Sequence, residues 1–279
     1  MRITRNPLLK NQHSGAHATQ EHLPLSYFLL VFVLSIPFWL IGGKKLPLPM
    51  RLPASSFMWV NPLLAASLLT FRQEARAGVK SLLKKAVDYR KIRGPAWYLA
   101  MLLVVPFIYF ASYGIMRAVE LPLPKTVKFP AYKAPLLFLM FFLPAMSEEL
   151  GWSGYAIDPL QRRWNALKAS IVVGVVWQIW HIVPDLQAEH SPSWIAWHSL
   201  YSVALRVLIV WNYNNSGKSV FAAALVHTMD NVSWSLFPND GSHLDPRVTA
   251  VVAWIAAAAV IAGWGPKTLA HYRYARANR

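Results

Sequence analysis

Residues 134–146 read APLLFLMFFLPAM, and residues 145–164 continue as AMSEELGWSGYAIDPLQRRW. A long apolar run therefore ends in two adjacent carboxylates, Glu148 and Glu149. An ionised group near the centre of a bilayer costs several kcal/mol unless it is paired or wet. Two such groups at one place are either a helix end solvated by lipid headgroups or the acidic part of a built site.

Composition decides what surrounds them. Of 279 residues, 55% are hydrophobic and 14% are charged. A soluble domain carries about a quarter charged residues. The apolar surplus has to face lipid, so the expected fold is all-α: a polytopic membrane protein of about eight transmembrane helices around a core four-helix catalytic bundle. The formal net charge is +16. The basic residues lie between apolar runs and at the chain ends, as topology signals do, so no nucleic-acid partner is expected. The chain has no cysteine. This excludes disulfides, thiolate zinc sites and a cysteine nucleophile together.

Eight apolar segments, each near the ~20 residues a spanning helix needs, run approximately over 23–43, 53–71, 96–119, 134–152, 169–184, 193–213, 218–237 and 248–265. The fifth is short, and Asn61-Pro62 interrupts the second. Around them lie a polar N-terminal tail, 1–22, and a basic tail, 266–279. The membrane domain is 23–265, with its motif core at 134–237. The first segment is longer than a signal-peptide core and no A-x-A site follows it, so it reads as a retained span. Residues 153–168 read as an amphipathic connector, with Leu160, Trp164 and Leu167 on one side and Arg162 and Arg163 beside them.

Charge orients this arrangement. Arg72, Arg76, Lys80, Lys84, Lys85, Arg90, Lys91 and Arg93 follow the second span and read as a cytoplasmic loop. Eight spans then place both termini in the cytoplasm, in a bacterial-type plasma (inner) membrane. The segment 185–192 holds Asp185 and Glu189 without Lys or Arg and fits the outer side. Lys44, Lys45, Arg51, Lys125, Lys128 and Lys133 oppose the bias, and the densest loop outweighs them.

Few ionisable residues fall inside or at the edge of spans, among them Glu148, Glu149, His181, His198, Arg206, His227 and Asp230. Residues four apart share a helix face. Glu149 and Ser153, Trp177 and His181, and His227 and Asn231 make three such pairs on three helices. Were these faces to converge, a carboxylate beside an imidazole could activate water. A second imidazole and an amide could then donate to a developing oxyanion. Those are the parts for hydrolysing a peptide bond. Arg206 reads either as snorkelling or as pairing with a buried Glu. Asp230 reads as a local hydrogen-bonding residue, ranked below Asn231. His198 reads as packed or interfacial, and His190 and His243 as solvated. On straight helices the ~1.5 Å rise per residue leaves Glu148 and His181 at depths about 10 Å apart, which tilt or a different start to the fifth span would remove.

At these residues the sequence resembles the CPBP family of intramembrane proteases, which includes the CAAX proteases and bacteriocin-processing enzymes. The family pattern is Glu-Glu-x-x-x-Arg, then Phe-x-x-x-His, then His-x-x-x-Asn or Asp. Here it reads EELGWS from Glu148, WQIWH from Trp177 and HTMDN from His227. The resemblance implies that Glu148 activates water with Glu149 beside it, that His181 works with that glutamate, and that His227 and Asn231 form an oxyanion hole. It leaves the metal question open: Glu148, His181 and His227 are the ligands if zinc is required. No HExxH motif is present. Two departures stand out. Ser153 replaces the Arg, so Glu149 needs another partner, and Arg206 is the candidate. Trp177 replaces Phe and keeps an aromatic wall. The implied partners are the lipid bilayer and a membrane-associated protein or peptide substrate. A non-proteolytic membrane scaffold or peptide-immunity protein, and an ion-coupled transporter, are the alternatives from other classes.

Overall fold

The computed structural model describes residues 24–42, 53–124, 126–237 and 244–271. The tail 1–22, Lys44, Lys45, Arg51, Lys125, His243 and the last part of the basic tail lie outside them. All described elements are helical. They are α1 (Leu25–Ile41), α2 (Asn61–Lys84), α3 (Pro95–Ala118), α4 (Ala134–Gly151), α5 (Ile157–Arg163), α6 (Ala166–Gln187), α7 (Pro192–Asn215), α8 (Val220–Leu236) and α9 (Pro246–Trp264). The eight apolar segments correspond to every one of these except α5. Among the described residues, six helices are long and apolar enough to cross a membrane. Of the eight that match apolar segments, the two that fall short are α1 and α8, of 17 residues each, and α8 is the one carrying His227, Asp230 and Asn231.

Local sequence sets the helix starts. Asn165, Ser191, Ser219 and Asp245 each cap a helix by accepting a backbone N–H, from Lys168, Trp194, Ala222 and Arg247. Proline occupies the first turn of α2, α3, α4, α7 and α9, where its missing N–H costs no helical bond. The fifth segment is longer than its apolar run suggests. The Asn165 cap starts α6 early, and the helix runs through Pro184 to Gln187. Basic residues 72–93, read as a loop, are instead mostly helical: α2 continues past residue 71, turns at Ala75 (φ 53°) and is followed by a 3-10 helix, Lys85–Lys91. The connector after Glu149 is a π-helical turn, Trp152–Ala156, leading into α5. Leu160 is buried as expected, but Trp164 faces outward.

The helices pack in a chain of close pairs. α4 lies between α2 and α8, α7 between α6 and α9, and α3 against α8 and α9. α7 holds the longest continuous buried run among the described residues, every residue from Tyr201 to Tyr213. A helix apolar on all sides belongs in the centre of a bundle, and Arg206 sits inside this run. Small residues permit the closest approaches, as is common between membrane helices. A Cβ on Gly174 of α6 would stand 3.1 Å from Val203 Cα and Arg206 Cβ on α7, and one on Gly151 would stand 2.6 Å from the Pro62 carbonyl oxygen. Ser35 ties three helices by accepting from Asn61 Nδ2 (2.9 Å) and Trp180 Nε1 (2.7 Å) while donating to the Val31 carbonyl. Trp152, fully buried, packs edge-on against both Tyr27 and Trp180 and anchors the end of α4.

Candidate active site

The two adjacent glutamates have different surroundings. Glu149 is completely buried, and Arg206, equally buried, donates from Nη1 to both of its carboxylate oxygens at 2.9 and 2.8 Å. His227 stands with Nδ1 3.0 Å from Glu149 Oε1. The carboxylate can only accept, so Nδ1–H donates and Nε2 is left for the other side of the ring. Ser153 Oγ also donates to Glu149, through Oε2. The π-helical turn seats that serine one turn beyond Glu149. Such bulges commonly re-aim a side chain at a functional site. Where relatives of the motif place an arginine, this chain therefore has a short hydroxyl, and a guanidinium arrives from α7. The remaining nitrogens of Arg206, Nε and Nη2, have no hydrogen-bond acceptor among the described residues. The guanidinium instead lies over the Trp177 ring, 4.4 Å from its centroid. A cation–π contact is strongest where water is excluded, as here.

Glu148 turns towards a cavity of about 230 Å³. Its Oε2 accepts from Trp177 Nε1 at 2.8 Å. Its Oε1 has no protein partner among the described residues. The cavity is also lined by His181, His227, Asp230 and Asn231. His181 does not bond Glu148 directly. Its Nδ1–H donates to the Trp177 carbonyl at 2.9 Å, which leaves Nε2 as the free ring nitrogen. Trp177 thus touches four groups at once: Glu148 through its N–H, Arg206 through its face, and the His181 and His227 rings at centroid distances of 5.3 and 5.2 Å. Glu148 and His181 are thus linked through this one side chain.

The structure thus brings Glu148, His181, His227, Asp230 and Asn231 to a single cavity and sets Glu149, Arg206 and Ser153 behind it. Some cavity residues were not legible as such. His190, expected to be solvated, stacks on Trp194 at 3.6 Å and lines the rim with Asp185. His198 packs between Trp194 and Tyr201. Tyr109 on α3 and Tyr201 on α7 both donate to Asp230 Oδ1, the first at 3.1 Å. Tyr109 lies 121 residues from Asp230, and no spacing rule connects them. The indole N–H of Trp177 was visible in the sequence only as the change from Phe to Trp.

A zinc ion held by Glu148, His181 and His227 would need these three to converge. Among the described residues, no three His, Cys, Asp or Glu side chains stand together at metal-binding distance. As arranged, the set does not fit a resident zinc.

Two similarities to known proteins bear on this geometry. Residues 130–233 match the family model of the Rce1-like type II CAAX prenyl endopeptidases. That range takes in α4 to α8 almost entire, and with them every motif residue. The chain is also 24% identical over 239 residues to the CAAX prenyl protease 2 of Methanococcus maripaludis, an alignment that covers 78% of this chain and 86% of that protein.

Proposed function

We propose that this chain is an intramembrane endopeptidase of the CPBP/CAAX type that cleaves a membrane-associated protein or peptide with a glutamate-activated water; the motif order and both similarities support that reading. One observation supports the mechanism above the rest: of two adjacent glutamates, Glu149 is neutralised in a dry cluster while Glu148 opens, with one oxygen free, into a cavity shared with two imidazoles and an amide. Glu148 takes a proton from a water in the cavity as its oxygen attacks the peptide carbonyl. The Trp177 N–H holds the other carboxylate oxygen and keeps the group aimed. His181, with Nδ1–H fixed on the Trp177 carbonyl, offers Nε2 to orient the same water. Asn231 and His227, one turn apart on α8, donate to the oxyanion. His227 does so in its imidazolium form, with Nδ1–H on Glu149 and Nε2–H towards the cavity.

That assignment gives Glu149 a positioning part. With Glu148 and Glu149 ionised, Arg206 and the His227 imidazolium balance the charge of the site to zero, which a water-poor interior requires. The bilayer supplies the surroundings, in a bacterial-type plasma membrane with both termini cytoplasmic. The test compares C-terminal and internal peptide ends, by mass spectrometry, in membranes carrying the wild-type chain or Glu148→Gln at equal level. New ends present only with the wild type are expected. Identical ends in both would leave the scaffold reading standing.

A further inference from the structure

The hydrolysis proposed above leaves one proton transfer unassigned. When the C–N bond of the tetrahedral intermediate breaks, the departing nitrogen must be protonated, because an amide anion is too poor a leaving group. His227 is committed to Glu149 and the oxyanion, and His181 to the water. Two further carboxyl groups line the cavity: Asp185 at the rim, where Gln178 Nε2 donates to its Oδ2 at 3.0 Å, and Asp230 beside the oxyanion donors. Asp230 lies one turn from His227 on the same face of α8 and lines the cavity with Glu148. Tyr109 from α3 and Tyr201 from α7, both buried, spend their phenol O–H groups on its Oδ1. A carboxyl oxygen has two lone-pair positions, and two donors fill them. A proton on Asp230 therefore sits on Oδ2, which has no protein partner among the described residues. No lysine or arginine lines the cavity to hold Asp230 permanently ionised. Glu148 and Asp230, two carboxyl groups with different donors in one cavity, divide naturally into one base and one acid.

Resting on that reading of the site, we propose that Asp230, held by Tyr109 and Tyr201, is the general acid that protonates the leaving amine. Water loses a proton to Glu148 and its oxygen bonds to the peptide carbon. The C–N bond then breaks, and the nitrogen takes the proton from Asp230 Oδ2. The resulting carboxylate is stabilised by the two phenols that already address Oδ1. Glu148 finally returns its proton to Asp230 through cavity water, and the cycle closes with no other reactant. The two tyrosines have a purpose in this scheme that a structural role does not demand. Two phenols converging on one oxygen fix which oxygen carries the proton, whereas a packed asparagine would serve folding equally well.

The experiment uses the full chain in liposomes with a peptide whose cleavage the terminal-peptide comparison has identified. The same peptide is also made with an ester of a good leaving alcohol at the cleaved bond. An ester needs little help in leaving, so the two substrates separate acid from base. For Asp230→Asn, which keeps an oxygen for the tyrosines, amide kcat is expected to fall about 10²–10³-fold and ester kcat less than about 10-fold on the same scale. Tyr109→Phe with Tyr201→Phe should lower the amide rate alone, by a smaller factor. Equal losses on amide and ester, or none on either, would overturn the assignment. Thermal unfolding of each variant identifies a loss that is merely structural, and a lower melting temperature accompanied by equal losses also counts against it. Glu148→Gln should abolish both reactions. Failure of that control overturns the hydrolytic reading itself, separately from the part given to Asp230.

Discussion

Glu148 and Glu149 are neighbours in the chain and opposites in the fold. Glu149 has three donors and no exposed surface, while Glu148 has one indole donor and a cavity. Side chains one residue apart on a helix point about 100° apart, so a pair of acids at a helix–helix seam can send one into the protein and one into the site. The difference teaches how a membrane protein keeps a reactive carboxylate. The dry acid anchors a cation and an imidazole, and the wet acid is left free to exchange a proton.

Substitutions at these two positions should separate activity from stability. Glu148→Gln is nearly isosteric and keeps an acceptor for Trp177, so cleavage should fall at least ~10³-fold, in the range set by loss of a catalytic base, with an unchanged melting temperature. Equal loss of folding at this position would break the comparison. Glu149→Gln leaves Arg206 buried without its counter-ion, which costs about 3–5 kcal/mol. Detergent-solubilised protein should melt much lower, or fail to elute as a single species. Arg206→Leu should match it in stability, and adding Ser153→Arg to Arg206→Leu should recover part of the loss by returning a guanidinium to the same carboxylate. No recovery would show that the direction of approach from α7, rather than the charge, is what Glu149 needs.

Smaller effects sharpen the same contrast. Trp177→Phe removes the N–H on Glu148 and weakens the contact with Arg206 while keeping a ring. It should lower kcat about 10-fold, with a stability change near 1 kcal/mol. Gly174→Ala crowds Val203 and Arg206 where α6 meets α7. Overpacking of this kind costs about 1–3 kcal/mol, and it should appear as a lowered melting temperature with activity lost only in proportion to folded protein. Treatment with a chelator, followed by zinc, should leave the cleavage rate unchanged, because Glu148, His181 and His227 do not converge at coordinating distance. Loss and metal-specific recovery would move Glu148 from base to ligand.

Much of this was legible in the chain because it depends on local pattern. Apolar runs locate membrane helices since lipid leaves no other way to satisfy backbone polar groups. The i, i+4 pairs identify faces since helical geometry is fixed. The rarity of ionisable residues in the spans singled out the residues that line the cavity or back it. Helix ends were less legible: α6 starts and stops by its Asn165 cap and beyond Pro184, and α2 carries its basic residues on further helical turns. Apolar content marks where lipid is, not where a helix ends.

Partnership was a different matter. The sequence by itself determined an all-α membrane chain, the presence of two acids beside an arginine-poor motif, and Arg206 as a candidate partner for one of them. Only the tertiary structure decided that Arg206 addresses Glu149 from α7, that the Trp177 indole joins Glu148 to both histidines, and that Tyr109 and Tyr201 converge on Asp230. Apart from Trp177–His181 within α6, each of these contacts joins side chains on different helices. Their relative rotation and depth are set by packing, such as the close approach at Gly174, and no periodicity within one helix encodes it.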